Sequence, residues 1–231
     1  MDLFEKRGRF SGALGRYGLS AASGVLLVLV QPPVSLYPLA FFALIPLLCT
    51  IDRDDLFLSF KRGFAAGVVA YLGLIYWVIV AMNHYGGINT PLSALILVLF
   101  VLYLSIYTGF FAFACAYLER RFSVPLYLSA PPVWVIMEYA RGSVMTGFPW
   151  SFLGHSQYSF LPLVQVVSVT GTYFISFLIV AVNGVLFSFL ARKKVSFTWI
   201  AIVLLLFASS LAYGFARFKH KDTTLLNTAI V

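Results

Sequence analysis

The chain has 231 residues, of which 61% are hydrophobic and 10% charged, and its mean hydropathy is +0.94. A water-soluble domain carries roughly 25% charged residues, so this composition excludes a soluble globular fold and makes lipid the solvent for most of the chain. The formal net charge of +8 comes from sixteen Lys and Arg scattered in small clusters at the ends of apolar runs, which excludes a nucleic-acid surface and marks topology instead.

In hydrocarbon every backbone N–H and C=O must be paired within the protein, which leaves helices or a closed barrel. The runs at 93–116 and 162–190 are apolar on all faces and too long for barrel strands, so the expected fold is all-α: a polytopic transmembrane helical bundle of about seven spans.

The first span, 12–30, follows Lys6, Arg7 and Arg9 as a signal peptide would. No A-x-A-like cleavage site follows, and Gln31-Pro32-Pro33 runs straight into a second apolar segment at 34–51, so the two read as a retained hairpin. Cys49 in that segment and Cys115 further on lie in apolar settings without CxxC spacing, as inert buried thiols. The third span, 63–83, carries Gly63, Gly67 and Gly73, small residues that let helix backbones approach. After a loop over 83–91, rich in Gly and aromatic residues, come spans at 91–118 and 124–140; Pro131-Pro132 should kink the latter. Beyond the stretch 141–161, the last two spans are expected at 162–191 and 195–216.

Lys and Arg sort by alternate loops. The N-terminal tail, the 52–62 loop, Arg120-Arg121 and Arg192-Lys193-Lys194 hold twelve of them, against four on the other side. By the positive-inside rule the N-terminus is cytoplasmic and the C-terminus outside, although Arg217, Lys219 and Lys221 run against that rule. Inner loops are short and charged, whereas the outer ones hold aromatics, Gly and Pro, which places function on the outer face.

Ionisable groups within spans are costly and so count as functional candidates. Glu138 and Arg141, three residues apart at the outer end of the fifth span, share a helical face. Two readings stand: an ion pair that anchors the helix end and props the next loop, or a contact from Arg141 to a lipid phosphate. The following segment, 146–157, is too short and too broken by Gly and Pro to span, and reads as interfacial or re-entrant; Trp150 and Tyr158 fit there as belt residues. His84 and His155 sit on outer loops without ligand-spaced partners, so they read as polar loop residues, and no metal or cofactor is expected. No P-loop, GxSxG or carboxylate pair is present, and no catalytic residue is expected in this chain.

Thr146-Gly147-Phe148-Pro149-Trp150 followed by Leu153-Gly154-His155-Ser156-Gln157, with Glu138 and Arg141 upstream, is similar to the signature of the apolipoprotein N-acyltransferase family. Pro38 to Phe41, Tyr76-Trp77-Val78, Gly86-Gly87, Tyr103 to Gly109 and Pro162 through Gly171 to Asn183 match in order, so the resemblance covers nearly the whole chain. It implies a multi-pass protein of the bacterial inner membrane that completes lipoprotein maturation, passing an acyl chain from a phospholipid donor to the amine of a diacylglyceryl-apolipoprotein acceptor. The chemistry would belong to a periplasmic nitrilase-like domain with a Glu-Lys-Cys triad working through an acylated cysteine.

By the same resemblance residues 1–222 form the membrane domain and 223–231 the first strand of that nitrilase-like domain, so this piece alone is expected to be inactive. Trp150, Pro149, His84 and Tyr85 become candidates for lipid contact or for lining the mouth of a lipid entry, beside Arg141 and Glu138. A competing reading is a small-molecule transporter, which usually places polar groups near the bilayer midplane; here Asn183 is the main such residue.

Overall fold

The computed structural model describes residues 12–219, and the apolar runs within them fold as helices that pair their own backbone. In chain order these are α1 (Ala13–Leu29), a 3-10 turn (Tyr37–Phe41), the one-turn α2 (Ile45–Leu48), α3 (Leu56–Ile75), α4 (Trp77–His84), α5 (Thr90–Phe122) and α6 (Leu126–Ser143). Two further 3-10 turns follow at Val144–Thr146 and Leu153–Gln157, then the short α7 (Leu161–Val164) and α8 (Val167–Thr170), and finally α9 (Thr172–Leu190) and α10 (Phe197–Lys219). No strand occurs among the described residues. The fold is an all-α membrane bundle in which α3, α5, α9 and α10 are each long and apolar enough to cross a bilayer. The segment 223–231 lies outside the described residues.

Helix boundaries follow local chemistry. Asp55 caps α3 by accepting the Leu58 N–H at 2.8 Å, and Asn89 caps α5 by accepting that of Leu92 at 3.0 Å. Arg120 and Arg121 occupy the last turn of α5, where positive charge complements the helix dipole. α3 lies between α1 and α5, and its contact with α5 depends on missing side chains. A Cβ on Gly63 would sit 2.7 Å from Ala112 Cβ, and one on Gly67 would sit 2.9 Å from Ser105 Cα. The expected close approach through these small residues is present.

Three expected spans are not single helices; the 63–83 span divides at Tyr76 between α3 and α4. The segment 34–51 crosses the bundle as a 3-10 turn followed by α2, because the Pro32-Pro33 entry and Pro38 and Pro46 remove N–H donors. Its freed backbone groups are met by side chains. Fully buried Asn183 on α9 accepts the Leu44 N–H and donates to the Ala40 carbonyl, both at 2.9 Å; Ser23 on α1 donates to the Ala43 carbonyl at 2.7 Å and accepts the Leu47 N–H at 2.9 Å. Broken backbone is tolerated at membrane depth where protein surrounds it. The expected 162–191 span is also divided: only α9 crosses, and Gly171, at φ 76°, separates it from α7 and α8. α6, by contrast, continues through Pro131-Pro132 as one helix.

Charged residues gather at one end of the bundle. Arg16 on α1 pairs with Asp52 at 3.1 Å, buried Arg62 on α3 donates to the Thr50 carbonyl at 2.6 Å, and Lys193 reaches Glu119 at 3.4 Å. The opposite end carries aromatic side chains and the irregular stretch after α6.

Candidate functional site at the aromatic end

The stretch after α6 is bent by residues in left-handed conformation: Met145 (φ 51°), Thr146 (72°), Gly147 (77°) and Ser151 (53°). Left-handed backbone is uncommon for residues with a side chain and persists where the surroundings determine it. At Gly147 a Cβ would run into the Gly142 carbonyl, so only glycine fits.

The surroundings that hold this loop come from the last turns of α6. Arg141, only 3% exposed, donates from Nη1 to the Trp150 carbonyl at 2.6 Å and, more weakly, to that of Phe148 at 3.4 Å; its own carbonyl accepts the Phe148 N–H at 2.7 Å. Its guanidinium lies over the rings of Phe152 (4.8 Å) and Tyr71 (5.5 Å), a favourable desolvated setting for the charge. Glu138 is also buried, and its Oε1 accepts from Trp134 Nε1 at 2.9 Å and from the Leu153 N–H at 2.7 Å. Glu138 and Arg141 therefore hold two ends of one loop; no ion pair forms between them within 4.0 Å. Propping of the loop, expected from the sequence, is present without the expected pairing.

The loop forms one wall of a groove of about 520 Å³. Pro149, Trp150, His155 and Tyr158 face Gln31-Pro32-Pro33 from the exit of α1, and Tyr76 and Trp77 from the break between α3 and α4. The rings of Trp77 and Trp150 lie 5.8 Å apart, Phe148 is 6.2 Å from Trp150, and Phe100 on α5 packs edge-on against Phe148 at 4.8 Å. The Tyr158 and Ser35 hydroxyls meet at 2.8 Å across the far side. Burial and the nearby charge of Arg141 push the His155 imidazole below its ordinary pKa, favouring the neutral ring. Trp150, 54% exposed, keeps much of its indole free for an occupant.

Beneath the groove lies a second, smaller cavity of about 40 Å³ that reaches Glu138, Arg141, Tyr107 and Thr108. Gln31, Leu74 and Ser151 line both spaces, so the deep cavity is the floor of the groove.

Of the residues singled out from sequence, Trp150 and Pro149 line the groove, and Glu138 and Arg141 line the cavity below it. His84 and Tyr85 do not join them: they sit exposed at the end of α4, with rings 4.9 Å apart, outside the groove lining. Burial of Arg141 leaves it without access to a headgroup phosphate in this conformation. Trp77, Gln31 and Phe148 were not singled out as site residues. Trp77 offered a signal in its aromatic position near an outer loop, whereas Gln31 read only as part of a connector. Both cysteines are free, and no cluster of metal-ligating side chains occurs among the described residues.

The family model described as the apolipoprotein N-acyltransferase N-terminal domain matches residues 23–185. The apolipoprotein N-acyltransferase of Geobacter metallireducens is 39% identical over 207 residues, covering 87% of this chain and 40% of that protein. That of Coxiella burnetii is 30% identical over 190 residues, covering 81% and 39%, and that of Wigglesworthia glossinidia is 29% identical over 209 residues, covering 90% and 41%. This chain thus spans about two fifths of the length of the curated relatives it matches.

Proposed function

The chain belongs to the apolipoprotein N-acyltransferase family, matching its N-terminal domain, and from that premise we propose that it is the lipid-handling membrane part of an acyltransferase that modifies bacterial lipoproteins in the inner membrane. In this reading a phospholipid enters the groove beside Trp77 and Trp150, and its acyl chain is passed to the amine of a diacylglyceryl-apolipoprotein. Residues 1–222 form the membrane domain, the nitrilase-like domain that begins at 223–231 carries the Glu-Lys-Cys chemistry, and the membrane domain supplies positioning. The aromatic end faces the periplasm and the charged end the cytoplasm, a reading supported by the distribution of most Lys and Arg.

The observation that carries this reading is the groove itself. Its walls are largely aromatic and prolyl, and it lies at the end of the bundle opposite the basic clusters. Indole rings favour the headgroup region of a bilayer, where one face meets acyl chains and the N–H meets water. No observation favours transport. Asn183, the polar residue deep in a span, has its amide oxygen and nitrogen both engaged by the backbone of the 34–51 segment.

The test is Trp150→Ala in the full-length gene product, with acyl transfer to a diacylglyceryl peptide measured alongside folded yield. A fall in specific activity with preserved yield supports substrate handling by the groove. Unchanged specific activity with lower yield reduces Trp150 to a structural ring. A reporter fused after Val231 that is active only in the cytoplasm would overturn the orientation.

A further inference from the structure

The small cavity under the loop is lined mostly by apolar side chains, among which a few polar groups are left unpaired. Glu138 Oε2 is buried and has no hydrogen-bond partner; Ser176, whose hydroxyl lies near this carboxyl group, accepts the Gly154 N–H and makes no hydrogen bond to Oε2. Arg141 uses only Nη1 on carbonyls, leaving its other N–H groups without a protein acceptor. Thr108 lines the same cavity, is 5% exposed, and its hydroxyl forms no hydrogen bond within the protein. Gln31, Tyr107 and Ser151 add further polar atoms to the wall.

A buried carboxyl oxygen without a partner, lining the same space as a guanidinium that it does not touch, leaves part of its desolvation cost uncompensated. A cavity holds a water when it offers at least roughly 10–15 Å³ of accessible volume and two to four polar partners. At about 40 Å³ this one has room for about one or two waters, and Glu138, Arg141 and Thr108 on its wall supply polar partners.

We propose that the cavity beneath the 144–152 loop is a hydration site, in which ordered water joins Glu138 Oε2 to the Arg141 guanidinium and the Thr108 hydroxyl. The water completes the hold that these two side chains exert on the loop, so the Trp150 wall of the groove rests on a hydrated base. It also gives the groove a polar floor at Gln31 and Ser151, where an acyl chain stops because displacing the water would strand Glu138. That second role rests on the lipid reading of the groove; the hydration itself does not.

The direct test is an experimental map of the protein in nanodiscs at a resolution that shows water. Density within about 3.2 Å of Glu138 Oε2 that also contacts Arg141 or Thr108 is the expected result. A direct Glu138–Arg141 ion pair with the cavity closed, or a cavity without density, overturns the proposal.

Thr108→Val gives an independent measurement, because it removes the hydroxyl at nearly constant shape. With water present it removes an anchor and lowers the apparent Tm by about 2–4 °C. In a dry cavity the same change removes an unpaired hydroxyl, and an unchanged or higher Tm overturns the proposal. Neither measurement depends on acyl transfer, so hydration can fail while the lipid reading stands, and the reverse.

Discussion

The Arg141 guanidinium donates to the Trp150 carbonyl at 2.6 Å, so a buried cation on α6 sets the position of the ring that walls the groove. The contact spans a loop with four residues in left-handed conformation, and it offsets part of their cost. Lysine at 141 keeps the charge but loses the planar guanidinium whose Nη1 reaches the Trp150 and Phe148 carbonyls and whose face stacks over Phe152. Arg141→Lys should therefore lower stability by about 1.5–3 kcal/mol, the range for hydrogen bonds to charged groups. Faster proteolysis within 144–152, with little change elsewhere, is the expected readout; a uniform rise in cleavage would place the effect on the whole bundle instead.

Asn183 carries an analogous task at the centre of the bundle. Asn183→Leu fills a similar volume but leaves the Leu44 N–H without an acceptor and the Ala40 carbonyl without its donor. Each buried group left unpaired costs about 1–3 kcal/mol, so loss of stability is expected even though the substitution is more apolar. Thermal unfolding checks it. A more stable variant would mean that the 34–51 segment finds other partners, against the hydrogen bonding described above.

The helical nature of the bundle and its polar ends were legible in the sequence because hydropathy and charge act locally along the chain. The breaks in 34–51 and at Gly171 were less so. Pro38, Pro46 and Gly171 were visible, but whether a broken segment survives depends on Ser23 and Asn183 arriving from distant helices. The same limit applies to the site. Trp150, Glu138 and Arg141 stood out through the loop and helix end that contain them, while Gln31 and Trp77 join the groove only through tertiary packing. His84 and Tyr85 looked equivalent to Trp150 as outer-loop aromatic residues, yet the end of α4 carries them outside the groove lining.

Close approach of α3 and α5 supplies a further prediction. Alanine in place of Gly67 gains about 0.8–1 kcal/mol in intrinsic helix propensity. Its Cβ, however, would lie 2.9 Å from Ser105 Cα and 3.0 Å from Ser105 Cβ, so a helix backbone must move. Overpacking of this kind costs about 1–3 kcal/mol, which outweighs the propensity gain in most of that range. Gly67→Ala should be less stable by denaturant or heat, and Gly67→Val less stable still. Equal stability of all three would show that the interface is looser than these distances indicate.

His155 makes the stability of the groove wall depend on pH. Burial and the charge of Arg141 lower its pKa in the folded protein below the ordinary 6.5, so the unfolded chain takes up the proton first as pH falls. The contribution of the neutral ring is complete above about pH 6.5 and is lost as pH falls through the native value. The desolvation is partial, because His155 keeps much of its surface in contact with solvent along the groove, and solvent screening keeps the effect small. The apparent Tm should decline as pH falls below about 6.5, and His155→Gln, which cannot titrate, should flatten that decline while leaving the value near neutral pH almost unchanged. Carboxylates also protonate towards the acid end, so the difference between the two proteins is the quantity to measure. Parallel pH profiles would show that His155 titrates alike in the folded and unfolded chain, and that the Arg141 charge is screened from the groove wall.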